Sequence, residues 1–226
     1  MTKGLVLFLT TLFVNTFAFA SASTPDACIK KADDSRAMML AFKDGKGDEA
    51  SVNQSSKDVS ACIDSVPVKE KAKQKFKDEA VVAWKQFRSM REEEILPTVV
   101  RYNQTTKDNK ANLDKTKEAL ASMKDNSQAA ACIKKADEAR SALLLYKDGK
   151  GDEPTVHKTA KETSACLEGI DAKGDQQHKD AAIAAWKVFR SIREGKIVPD
   201  VKYFMQQSNL NTANLNRTKD ALKKLN

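Results

Sequence analysis

Glycine and proline are scarce in this sequence, eight and five among 226 residues, and aromatic residues make up 6%. So few turn-formers and β-favouring side chains exclude an all-β sandwich or barrel. Histidine is rarer still, at two. The motifs CxxC, CxxCH, HExxH and ExxH are all absent. Dithiol redox chemistry, covalent haem, zinc hydrolysis and a di-iron centre therefore lack their usual ligands. A b-type haem would have to draw on Met38, Met39, Met90 or Met205 with His178, and methionine in a helical bundle serves packing. No cofactor and no metal is expected, and nothing marks a catalytic nucleophile, so the protein reads as a non-enzyme. What is present, 41% hydrophobic and 31% charged residues, suffices for one large core or two ordinary ones.

The one long apolar run lies at the start. Lys3 precedes a mostly apolar stretch over 5–14, and small residues at Ala18, Ala20 and Ala22 offer cleavage sites. Residues 1–22 thus read as a secretory signal peptide. The run is too short to span a bilayer comfortably. The expected location is periplasmic or secreted, with no transmembrane segment in the mature chain. Removing Lys3 lowers the formal charge from +8 to +7.

The rest of the chain is a duplication. ACIKKAD at 27–33 recurs at 131–137, KDGKGDE at 43–49 recurs at 147–153, and AWKQFRSMRE at 83–92 matches AWKVFRSIRE at 185–194. Roughly half of the paired positions are identical, which marks an internal repeat. The expected units are 23–126 and 127–226, each a small domain. The two histidines are not duplicated: His157 pairs with Asn53 and His178 with Phe76.

Each unit reads as four helices. Thr24-Pro25 starts the first and Gly45 stops it. The second runs from about Asp48 to Ser65. The third carries Phe76, Ala80, Trp84, Phe87 and Ile95 at three- and four-residue spacing, and Pro97 ends or kinks it. A polar patch from Asn103 to Asn109 suggests a reversal into the fourth helix, which carries Leu113, Leu120 and Met123. The fold class is therefore all-α, two tandem four-helix up-down bundles. Four cysteines in an exported chain favour disulfides. An antiparallel first hairpin brings the start of helix one beside the end of helix two, which pairs Cys28 with Cys62 and Cys132 with Cys166, one disulfide per repeat.

The KDGKGDE loop has glycines and acids but lacks the alternating acidic ligands of a calcium loop. Helix stop and cap explain it residue by residue: Gly45 ends one helix, and Asp48 with Glu49 starts the next.

The third helix holds the candidate site. At roughly 100° per residue, Arg91 and Ile95 each fall within about 20° of the Trp84 direction. Arg91 thus lies within the apolar stripe and Arg88 on its edge; Arg193 and Arg190 repeat this beside Trp186. An arginine on a core face must find an anion or carbonyl. The functional reading is a bidentate seat for a ligand carboxylate or phosphate, with tryptophan as an apolar wall. The structural readings are an internal pair with Asp33, Asp34 or a neighbouring glutamate, with Arg88 stacking on Trp84 or pairing with Glu92 one turn on, or a packed stem with its head in water.

Charge is intermixed. Residues 23–126 carry 20 basic and 18 acidic side chains, and 127–226 carry 18 and 13. The one dense basic run, KEKAKQKFK at 69–77, would suit an anionic envelope polymer, or equally a solvated helix face. No specific nucleic-acid recognition is expected.

The segment AWKQFRSMREEEILP at 83–97 resembles the penultimate helix of four-helix-bundle ligand-sensing domains of bacterial chemoreceptors. The resemblance covers fifteen to twenty residues per repeat. It implies a site for a small anion or amino acid at Trp84, Arg88 and Arg91, with Trp186, Arg190 and Arg193 in the second repeat. The chain departs from those sensors in lacking a signalling domain and in carrying cysteines in each copy. The expected function is an exported binding protein for a small anionic ligand or a protein partner. The alternatives are a structural or interaction protein of the envelope acting through basic helical surfaces, and a metal or haem carrier.

Overall fold

The computed structural model describes residues 23–123 and 127–226. Residues 1–22, read above as a signal peptide, lie outside them. The described chain is all-α: α1 (Pro25–Lys43), α2 (Glu49–Ser65), α3 (Lys71–Met90), α4 (Leu96–Ala121), α5 (Ser127–Lys147), α6 (Glu153–Glu168), α7 (Gln176–Ile192) and α8 (Val198–Lys223). No helix among the described residues is long and apolar enough to cross a membrane.

Local chemistry sets the helix starts. Thr24 accepts from the Ala27 amide at 3.2 Å, with Pro25 in the first turn. Asp48 accepts from the Ser51 amide at 2.8 Å, and Asp152 from the Thr155 amide at 2.7 Å. These are N-caps, so the KDGKGDE loop performs the capping role expected of it. Gly45 and Gly149 follow the preceding helices with φ of 75° and 70°, a region open to glycine at little cost. Both expected disulfides are formed, Cys28–Cys62 and Cys132–Cys166, each 34 residues apart. Each lies at the open end of a helical hairpin, α1–α2 or α5–α6. Closing such a loop is worth roughly 4 kcal/mol in the chain-entropy model.

The expected reversal at Asn103–Asn109 does not occur. Helix continues through those residues, and α3 joins α4 through a single wide π-turn at Arg91–Ile95. The same happens at Arg193–Ile197 between α7 and α8. Each joined helix is about 75 Å long at 1.5 Å per residue. Proline explains the position of the turn. Pro97 and Pro199 have no N–H to donate, and in a tight α-turn their rings would meet the carbonyl four residues back. Widening the turn relieves that clash, and the helix passes through. Thr98 Oγ1 donates to the Glu94 carbonyl at 2.8 Å, occupying an acceptor in this stretch.

Because neither long helix folds back, the repeats exchange their last helices. α3 packs along α8, and α4 along α7. The long helices are antiparallel: Lys73 reaches the Asn226 carbonyl, Phe87 meets Asn211, and Arg101 pairs with Asp200. One core joins Cys28, Val59, Ile63, Trp84 and Phe87 to Leu215 and Leu222 of α8. The other joins Cys132, Leu167, Trp186 and Phe189 to Leu113 and Leu120 of α4. The molecule is thus two tandem four-helix bundles, each completed by the other repeat.

Candidate functional site

The two π-turns flank the middle of the molecule, each packed against the other long helix: Tyr203 Oη of α8 donates to Glu94 of the first at 2.7 Å. Ile95, Leu96 and Val99 pack with Met39, Val52 and Phe204 on one side. Ile197, Val198 and Val201 pack with Leu143, Tyr146, Val156 and Tyr102 on the other. Between them the two KDGKGDE loops meet. Lys43 lies 3.2 Å from Asp44 and 3.4 Å from Asp148; Lys147 lies 3.2 Å from Asp44. Burial acts to raise the Asp44 pKa, but hydrogen bonds and charge from Lys147 and Lys43 prevail and hold it below the usual carboxylate value. The loop motif therefore clasps the two repeats together.

Arg91 opens the first π-turn and is 1% exposed. Its Nη1 donates to the Ser35 carbonyl at 3.2 Å and to Ser35 Oγ at 2.6 Å. Its Nη2 donates to the Val52 carbonyl and, at 3.2 Å, to Ser55 Oγ. The guanidinium thus ties α3 to α1 and α2 using neutral acceptors. Nε has no partner. Arg193 is equally buried but less well served. Its Nη2 donates to the Val156 carbonyl at 2.6 Å, while Nε and Nη1 have none. Two substitutions account for part of the difference: Ser35 is replaced by Ala139, and Ser55 by Thr159, whose hydroxyl donates to the Thr155 and Val156 carbonyls instead. Neither guanidinium forms an ion pair among the described residues, and burial lowers both pKa values to about 10.

The other candidates have internal partners. Arg88 Nε donates to Glu92 at 2.7 Å, and Arg190 Nε to Glu194 at 2.9 Å. The Trp84 indole donates to the Ser56 carbonyl at 3.2 Å and Ser60 Oγ at 3.1 Å; the Trp186 indole donates to Ser164 Oγ at 3.0 Å. Trp84 stacks on Phe87 with centroids 4.8 Å apart.

A cleft of about 220 Å³ opens where α1, α3 and α8 meet the loop after α5. Arg91 and Phe87 line it; Trp84 and Arg88, expected beside Arg91, are not among its lining residues. Arg36, Lys43 and Lys147 also line it, against one acid, Asp148. Its apolar wall is Met39, Leu40, Ile95, Phe204 and Met205. Trp186 and Arg190 line a separate open groove between α6 and α7. The structure therefore gathers Arg91 with residues that sequence spacing could not associate with it. Lys147, Phe204 and Met205 come from the other repeat, and no local pattern announces that encounter.

Two lysines of the basic run at 69–77 are engaged within the fold. Lys77 donates to the Asp64 and Val66 carbonyls at 2.7 Å each, and Lys73 to the terminal carbonyls Leu225 and Asn226. Lys179 repeats the Lys77 contact on the Glu168 and Ile170 carbonyls. Among the described residues no group of three His, Cys, Asp or Glu side chains is placed to hold a metal ion.

Comparison with protein-family models, with curated proteins and with solved structures finds no match to this chain.

Proposed function

We propose that this is an exported, non-enzymatic binding protein of the periplasm or extracellular space, and that it takes a small anion in the Arg91 cleft. The observation carrying this reading is a buried cation, Arg91, whose partners are all neutral and whose Nε has none, on the wall of a cleft lined also by Arg36 and by Lys43 and Lys147, the two lysines being paired with Asp44 and Asp148. An uncompensated buried charge is costly, and a ligand anion would offset that cost. Export is supported by the leader-like residues 1–22 and by two formed disulfides, which persist in oxidising compartments.

The test is thermal unfolding of the purified, oxidised protein against acetate, succinate, glutamate, hexanoate and phosphate. A ligand that binds the folded state raises the midpoint. Arg36 is exposed and lines the cleft. Arg36→Gln should leave the unliganded midpoint unchanged and diminish the ligand-induced rise. No rise with any anion would reject the reading and favour an interaction protein acting through its basic surfaces.

A further inference from the structure

The cleft combines charge with an apolar interior, and that combination narrows the ligand. Its cations surround a wall of Met39, Leu40, Phe87, Ile95, Phe204 and Met205. A hydrated inorganic anion has no use for six apolar side chains. Its volume of about 220 Å³ lies below the roughly 300–1,000 Å³ typical of drug-sized ligands. Two methionines give the wall the adaptability that suits a flexible chain over a rigid shape.

The duplication adds a second constraint. The first repeat's contributions to the cleft have close counterparts: Arg36 matches Arg140, Met39 matches Leu143, Leu40 matches Leu144 and Phe87 matches Phe189. The α8 contributions do so only in part: Asn211 matches Asn109 and Ser208 matches Thr106. Phe204, Met205 and Asn209 correspond to Tyr102, Asn103 and Lys107. Asn103 Nδ2 donates to the Phe42 carbonyl at 3.1 Å, fastening α4 to α1 in the place where Met205 presents a thioether. The counterpart position is therefore polar and already bonded.

Resting on the anion-site reading, we infer that the ligand is a monocarboxylate with a short aliphatic body, bound once per chain. Its carboxylate faces Arg36 at the Arg91 wall, and its chain lies against Leu40, Phe204 and Met205.

Titration calorimetry of the oxidised protein with acetate, butyrate, hexanoate and octanoate tests this, with phosphate and hexanol as controls. The expected result is one site per chain and an affinity that rises about fourfold per methylene until the cleft is full. Hexanol should bind at least tenfold more weakly than hexanoate. Met205→Asn, which installs the residue of the other half, should weaken hexanoate at least tenfold; Leu40→Gln, on a half-exposed position, should do so without disturbing the fold. Phosphate or acetate binding as tightly as hexanoate would overturn the inference while leaving an anion site. Hexanol matching hexanoate, two sites per chain, or unchanged hexanoate affinity in both variants would also overturn it. No binding by any anion would overturn both the inference and the reading beneath it.

Discussion

The side-chain amide of Asn211 donates to the backbone carbonyl of Phe87 at 2.9 Å, across 124 residues of sequence. Asn109 does the same to Phe189 at 2.9 Å. Both asparagines are buried. Each carbonyl lies one turn before a π-turn and also accepts the backbone N–H of Arg91 or Arg193. The pair therefore fixes each long helix against the other beside its irregular turn. Replacing either asparagine by leucine removes the donor and should cost about 1–3 kcal/mol, read as a lowered urea midpoint at unchanged slope. A midpoint within error of wild type for both would mean that packing alone sets the register.

Exchange of the last helices makes a prediction for a single repeat. Residues 23–123 contain α1 to α4, but α4 leaves the bundle that α1, α2 and α3 begin. A lone copy has an open apolar face on α3 that in the intact chain meets Leu215 and Leu222. Two copies can close each other's bundles. The 23–123 fragment should therefore be a homodimer whose melting midpoint rises with concentration, as sedimentation equilibrium would show. A stable folded monomer would mean that the long helix can bend back at its π-turn.

Arg91 and Arg193 occupy equivalent places with unequal support. Arg91 has four donated hydrogen bonds, Arg193 one. Removing a satisfied buried group strands its partners, whereas replacing an unsatisfied buried charge by an apolar side chain of similar size is often neutral or stabilising. Arg91→Met should destabilise by about 2–4 kcal/mol, while Arg193→Met should fall within about 1 kcal/mol of wild type. Chemical denaturation of the two variants compares them directly. Equal, large losses would show that Arg193 finds partners in solution that match those of Arg91.

Tyr102 supplies a pH dependence. Burial pushes its phenol up to about 12, with the nearby Asp148 and Asp44 charges acting in the same direction. An unfolded tyrosine ionises near 10. Below pH 10 the phenol is neutral in both states, and its contribution is intact. Between pH 10 and 12 the unfolded chain loses its proton first, so stability falls as pH rises, by up to about 2–3 kcal/mol from this group. Tyr102→Phe, the residue type at the matching position 204, should lessen the decline between pH 9 and pH 12 in urea-unfolding series. An identical decline in the variant would assign it to other groups.

The position of Arg91 on the apolar stripe followed from helical spacing, and its burial agrees. The pairing of Cys28 with Cys62 followed from a hairpin whose ends must meet. The polarity of Asn103–Asn109 resembles a turn when considered locally, yet helix runs through it. Its asparagines face the other long helix and the first hairpin, where Asn109 and Asn103 serve backbone carbonyls. Pro97 was read as a stop or kink, yet a widened turn lets the helix continue. The cleft was invisible for a related reason: its walls belong to segments more than a hundred residues apart.

The sequence by itself determined the helical class, the duplication, the caps and the two disulfides, because each depends on neighbours along the chain or on one short hairpin. Only the tertiary structure decided which fourth helix completes which bundle. Helical periodicity specifies an apolar face but not the face it meets, and two copies of one sequence offer nearly equivalent faces. The choice passed to the backbone at residues 91–97 and 193–199, where a widened turn kept each long helix continuous and delivered Phe204 and Met205 to Arg91.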